Sequence, residues 1–207
     1  MSTAAKGKVR KSAGPRTVLR AVKRAAPIYQ LRIELKYVTP AVWRRVAVPG
    51  SIKLATLHLV LQETMGWLGG HLHEFVIADT HYGVPDPDWP DNPPLARDDR
   101  ATLAAALGAL KSFTYLYDFG DGWEHKVKVE KILAPDPHLK LPFCLDGANA
   151  CPPEDVGGPP GYANFLEAIA DPKHEEHADM LEWCGGSFDR AAFNALDVNH
   201  RLADIKV

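Results

Sequence analysis

The sequence predicts an α+β fold, a mainly antiparallel sheet with helices packed against it and a helical C-terminal part. Three observations carry this reading. Apolar residues alternate with period 2 over residues 28–48 and again over 113–133. A stripe of helical spacing fills 54–68, and further helical stripes follow after 161. Strands gathered early and helices late are the pattern of segregated layers rather than of alternating β-α units.

Each element follows from its residues. Tyr29, Leu31, Ile33, Leu35 and Tyr37 alternate with Gln30, Arg32, Glu34 and Lys36, as in a strand with one wet face. Beyond Pro40, the spacing of Val42, Arg44, Val46 and Val48 predicts a second strand. Pro49-Gly50 makes a turn, Ser51 is a candidate helix cap, and Leu54, Leu57, Leu61, Met65 and Leu68 form a helix that Gly69-Gly70 ends. His58 shares that apolar stripe, which favours a core or boundary histidine over a ligand.

Leu72 to Ala78 reads as a strand, Tyr82 to Arg100 as a long surface loop rich in proline and acid, and Ala101 to Leu110 as a short helix. Phe113–Phe119 and His125–Leu133 read as paired strands, because Asp-Gly within Gly120-Asp121-Gly122 tolerates the positive φ of a hairpin turn. Residues 134–161 are rich in Pro and Gly and show no long periodic run. Tyr162, Phe165, Leu166 and Ile169 then form a helical stripe. Asp171-Pro172 starts a helix running to Trp183 and stopped by Gly185-Gly186, and a last helix begins near Asp189.

A length of 207 residues favours one sizeable core over two small ones, with 46% apolar and 24% charged residues ordinary for a globular protein. No run reaches the length of a membrane-spanning helix, no secretory signal is visible, and three cysteines are too few for a disulfide framework. A cytoplasmic, reduced protein with no membrane partner is expected.

Charge divides the chain in two. Residues 1–26 hold Lys6, Lys8, Arg10, Lys11, Arg16, Arg20, Lys23 and Arg24 and no acid. Residues 27–207 hold the other 16 basic side chains and all 26 acids, a balance of about −10. The expectation is a basic, disordered tail (1–26) on a single acidic α+β domain (27–207). Such a tail can contact nucleic acid or an acidic protein, or simply be solvated.

The densest polar segment is Tyr117-Asp118-Phe119-Gly120-Asp121-Gly122-Trp123-Glu124-His125. Its Asp118-Phe119-Gly120 is not a kinase element, since neither a Gly-rich phosphate loop nor a His-Arg-Asp motif accompanies it. His71 and His73, two apart, would share a side of an extended segment, and His73 could approach Asp118, Asp121 or His125. Imidazoles with a carboxylate suit zinc or another divalent metal, so His71, His73, Asp118 and His125 are candidate ligands. Asp118, Asp121, His125, Glu154 and Asp155 are candidate catalytic groups. In the structural alternative, Asp118 and Asp121 hydrogen-bond the hairpin backbone, Trp123 packs on a neighbouring strand and the histidines lie at the surface.

Two other clusters are weaker. His174 and His177 are three apart, not the four of a zinc-protease helix, which favours a solvated face. Cys144 and Cys151 are a single widely spaced pair and fit a buried loop better than a zinc site.

Three segments together resemble one family. They are Leu57-His58 through Gly66-Trp67 and His71-Leu72-His73; Asp118-Phe119-Gly120-Asp121 with Trp123 and His125; and Ala150-Cys151-Pro152-Pro153-Glu154-Asp155 with Gly157-Gly158, Gly161-Tyr162, Phe165-Leu166 and His174-Glu175-Glu176-His177. The chain is similar over about residues 28–200 to the plasmid pRiA4b ORF-3-like family. The resemblance implies a single α+β domain, no settled activity, and an association with plasmids or mobile elements under a resolvase-like label. It also implies a cysteine where this chain has Val156, which would weaken any metal site using it.

Strand-transfer chemistry does not fit the residues. No His is followed by Arg three positions on, as a tyrosine recombinase needs, and Ser2 and Ser12 lie in the tail rather than near an N-terminal strand. The leading expectation is a noncatalytic binding or accessory protein that touches nucleic acid through its tail. The alternative is a metal-dependent hydrolase with a His/Asp site.

Overall fold

The structure, a computed structural model, describes Met1 and residues 25–86, 88 and 93–207. The eight basic residues of the tail lie outside these. In chain order the elements are β1 (Ile28–Leu35), β2 (Trp43–Pro49), α1 (Leu54–Met65), β3 (His73–Ile77), β4 (Thr80–Gly83), β5 (Leu95–Arg97), α2 (Leu103–Leu107), β6 (Ser112–Tyr117), β7 (Trp123–Leu133), β8 (Phe143–Ala148), α3 (Gly158–Ala170), α4 (His177–Trp183) and α5 (Ala195–Leu202). The eight strands form one sheet in the order β5-β4-β3-β6-β7-β1-β2-β8, antiparallel except between β4 and β5. This is the expected α+β architecture.

The period-2 pattern is realised as two faces. Tyr29, Leu31, Ile33 and Leu35 on β1, Val46 and Val48 on β2, Phe113, Tyr115 and Tyr117 on β6, and Trp123, Val127 and Val129 on β7 are buried in one core. Gln30, Arg32, Glu34, Lys126 and Lys128 alternate with them on the wetter face. Leu54, Leu57, Val60 and Leu61 seat α1 on that core with no more than 1% exposure each. Burying a leucine side chain contributes about 2 kcal/mol, so this stripe is what holds a 12-residue helix that would be marginal alone.

Several boundaries differ from expectation. The cap of α1 is Lys53 rather than Ser51, and the helix stops at Gly66, whose φ of 96° closes it before Leu68, which is exposed. β4 runs into the start of the proline-rich segment, which also contains β5, and the Pro/Gly-rich segment contains β8. Asp171-Pro172 does not start a helix: Asp171 ends α3, and α4 begins only at His177. The last helix begins at Ala195 behind an Asn194 cap, not near Asp189. The C-terminal part is therefore three helices joined by turns.

Candidate functional site

The β6–β7 hairpin and the loop before α3 meet at one end of the sheet. Tyr117 pairs with Trp123, leaving residues 118–122 as the connection. Asp118 takes a left-handed φ of 53° and Gly122 one of 69°, a conformation that Asp and Gly tolerate better than most residues. The Asp118 N–H donates to the Leu72 carbonyl at 2.9 Å, extending the β3–β6 pairing. Asp118 Oδ1 accepts from the N–H groups of Gly120 and Asp121 at 3.0 and 3.3 Å. Asp121 Oδ2 accepts from the Gly157 N–H at 3.1 Å and ties the hairpin to the second loop.

That docking brings three donors together. His71 Nδ1 lies 3.7 Å from Asp118 Oδ2, and His71 Nε2 lies 3.2 Å from Asp155 Oδ1. Asp118 thus has one oxygen in the turn and the other toward His71. Asp155, with a φ of 59°, is 72% exposed at its side chain, against 11% for Asp118. The three residues offer one ligand atom each within 4.8 Å of one another. An imidazole nitrogen with two carboxylate oxygens is a donor set for zinc or a similar divalent ion.

Neighbouring residues hold the second loop. Tyr117 donates to Glu154 Oε1 at 2.5 Å, the Leu68 N–H donates to Glu154 Oε2 at 3.2 Å, and Trp67 Nε1 donates to the Pro152 carbonyl at 2.9 Å. Trp67 stacks on Tyr117 with ring centroids 5.0 Å apart. Burial, then the bond to Glu154, raises the Tyr117 hydroxyl pKa and keeps it a donor.

The other candidates lie elsewhere. His73 Nε2 sits 2.9 Å from buried Asp98, and its ring stacks on His58 with centroids 3.7 Å apart and planes 8° from parallel. His58 is a buried histidine whose Nδ1 meets the Tyr115 hydroxyl at 2.7 Å; burial first, then the nearby His73, pushes its pKa down to about 3. His125 is wholly buried on the core face of β7. Its Nδ1 donates to the Tyr115 carbonyl at 3.2 Å, its Nε2 has no partner among the described residues, and burial lowers its pKa to about 4. His177 turns its Nδ1 to the Ala168 carbonyl, and His174 Nδ1 accepts from the Glu176 N–H. Cys144, Cys151 and Cys184 are free thiols. Sequence reasoning missed Asp98, hidden in the proline-rich segment, and the role of Tyr117.

Fold and site define an α+β protein with a largely antiparallel eight-stranded sheet and a solvent-reachable His-Asp-Asp cluster beside a hairpin. The chain belongs to the plasmid pRiA4b ORF-3-like family, whose model matches residues 27–197. It is 50% identical over 183 residues, 87% of this chain and 93% of the other, to the uncharacterized protein y4hQ of Sinorhizobium fredii. It is also similar to MM3350, a protein of unknown function from Methanosarcina mazei Go1. The crystal structure of MM3350 superposes with a TM-score of 0.76 at 35% identity over 83% of this chain and 96% of that one.

Proposed function

We propose that the chain binds a divalent cation through His71, Asp118 and Asp155, and that the bound ion supports hydrolysis of an ester or phosphoester. The observation that supports this reading is the convergence of the three ligand atoms within 4.8 Å, with Asp155 leaving one side open to water and substrate. Three protein ligands with an open position are the arrangement of catalytic zinc, which brings the pKa of bound water to about 7. One imidazole gives one nitrogen to a metal, so the ion would replace one of the two contacts that His71 makes with the carboxylates. A groove of about 370 Å³ adjoins the cluster, bordered by Asp155, Val156, Phe165, Met180 and Trp183, and offers room for an apolar part of a substrate.

The test is the metal content of protein purified without chelator or affinity metal, for the parent chain and for His71→Ala, Asp118→Asn and His73→Ala. Near-stoichiometric zinc or another divalent ion is expected in the parent and in His73→Ala, and none in the other two. Absence of bound metal in the parent, and no uptake from added zinc or manganese, would end the reading.

A second reading rests on charge. Eight basic residues without an acid in positions 1–26 favour contact with nucleic acid, or with an acidic protein of a plasmid or mobile element. Its affinity would fall with salt on a log–log slope of at most about −0.9 per phosphate contacted, and deleting residues 1–26 would remove it. Salt-insensitive binding, or full binding by the truncated chain, would exclude the tail. In either reading the working compartment is the cytoplasm, which suits three free thiols. Among the described residues no helix is long and apolar enough to cross a membrane.

A further inference from the structure

Arg44 occupies a core-facing position of β2. It falls between Val42 and Val46 on the stripe that continues to Val48, and it is itself only 3% exposed. Its Nε donates to the Thr64 carbonyl at 2.9 Å, and its Nη1 donates to the carbonyls of Trp43 and Ala148 at 2.8 and 2.9 Å. These oxygens orient the guanidinium fork but carry no net charge. Among the described residues no carboxylate stands within ion-pair distance of it, although buried charges are usually paired. Its third nitrogen, Nη2, makes no hydrogen bond among the described residues.

The surroundings are built around this group. The Phe193 ring lies 4.7 Å from the guanidinium carbon. Gly147 makes that stack fit: a Cβ there would stand 2.6 Å from the Phe193 ring and 2.9 Å from Arg44 Cδ. Arg44 borders an open cavity of about 440 Å³, whose wall also includes Arg201, Cys151, and Asn194 and Asp197 at the start of α5. Arg201 is anchored by its Nε on the Glu63 carbonyl at 3.1 Å and pairs with the Glu63 carboxylate at 3.6 Å, so it stands at the rim as a second cation already partly neutralised. The peptide dipoles at the start of α5 add partial positive charge, while Asp197 opposes it.

We propose that this cavity binds a small oxyanion, a phosphate or carboxylate group, through the free edge of Arg44 with Arg201 as the second contact. A planar guanidinium with one nitrogen unspent, pre-oriented by three carbonyls, is matched to such an oxygen pair or triad. Asp197 limits the affinity and keeps the binding reversible. The site shares no residue with the His71 cluster and stands without it.

The experiment is titration of the metal-free full-length chain with inorganic phosphate and, separately, acetate, by calorimetry at constant ionic strength. Arg201→Gln, Asp197→Asn and Arg44→Gln are run in parallel. Saturable binding is expected in the parent, weakened about three- to tenfold by Arg201→Gln and tightened by a similar factor by Asp197→Asn. A preference for phosphate or acetate identifies the oxyanion class. If Arg44→Gln folds, it binds neither; if it does not fold, the other two variants decide. No saturable binding of either anion, or an affinity unmoved by Arg201→Gln or by Asp197→Asn, overturns the proposal.

Discussion

Gly158 lies directly against the main chain of Asp121: a Cβ on Gly158 would collide with the Asp121 carbonyl oxygen, and it would stand 3.1 Å from the carbonyl carbon. Its φ of 68° is a second reason for glycine. This contact, with the Gly157–Asp121 hydrogen bond, is what holds Asp155 beside Asp118. Gly158→Ala is therefore expected to destabilise the chain by about 1–3 kcal/mol and to separate the two loops. Thermal unfolding together with zinc titration checks it. Lost stability with unchanged metal affinity would show that the docking does not form the site.

Asp118 serves the turn with one oxygen and faces His71 with the other. Asn keeps an oxygen for the Gly120 and Asp121 N–H groups and tolerates the left-handed backbone, but it removes the charge. Asp118→Asn is expected to unfold within about 1 kcal/mol of the parent while losing at least about a hundredfold in metal affinity, more than loss of a supporting partner costs. Denaturant unfolding and metal titration on the same preparation separate the two effects. A variant that unfolds readily, from a parent that takes up no metal, would make Asp118 a hairpin residue and nothing more.

Acid should destabilise the fold through its buried imidazoles. Unfolded, His125 takes a proton near pH 6.5; folded, it does so only near 4, because burial penalises the charged ring. Between these values the unfolded chain binds more protons, so the unfolding free energy falls as the pH falls. The contribution is complete above pH 6.5 and exhausted near pH 4, and the interval corresponds to about 3 kcal/mol from His125. His58, held down to about 3, acts in the same direction. Imidazole NMR titration should find both rings neutral at pH 5, and unfolding curves at pH 7 and 4.5 should differ accordingly. A His125 ring titrating near 6.5 would refute this.

Much of the sheet was legible because one face is buried, and a period-2 stripe such as Leu31-Ile33-Leu35 has no other use. β4 and β5 were not, since four and three residues make no periodic signal and their parallel pairing is nonlocal. The site was half legible. His71 and His73 would share a side only if both were extended, but His71 lies in a bend before β3, so the two rings go to different acids. Asp155 was a candidate on its own. Its place beside Asp118 depends on the Gly158–Asp121 contact, which joins residues far apart in the chain and leaves no local pattern. Val156, where the resemblance implies a cysteine, borders the groove beside Asp155 and is not among the three ligand residues.

The Tyr117–Glu154 pair supplies the sharpest test of whether loop placement controls the cluster. Glu154 precedes Asp155, and both of its oxygens are taken, one by the Tyr117 hydroxyl and one by the Leu68 N–H. It is thus a positioning residue that fixes the backbone from which Asp155 projects. Tyr117→Phe removes one donor to a carboxylate and leaves the ring stack on Trp67 in place, at a cost of about 1.5–3 kcal/mol. If the hydroxyl acts through Asp155, metal affinity falls about tenfold, as for other partners that orient a ligand, while the stoichiometry stays the same. An Asp155→Ala background then removes the effect: with the ligand gone, the hydroxyl has nothing left to place. A tenfold loss that persists in that background would assign Tyr117 a direct contact with the ion, and no loss in either background would make the bond purely structural.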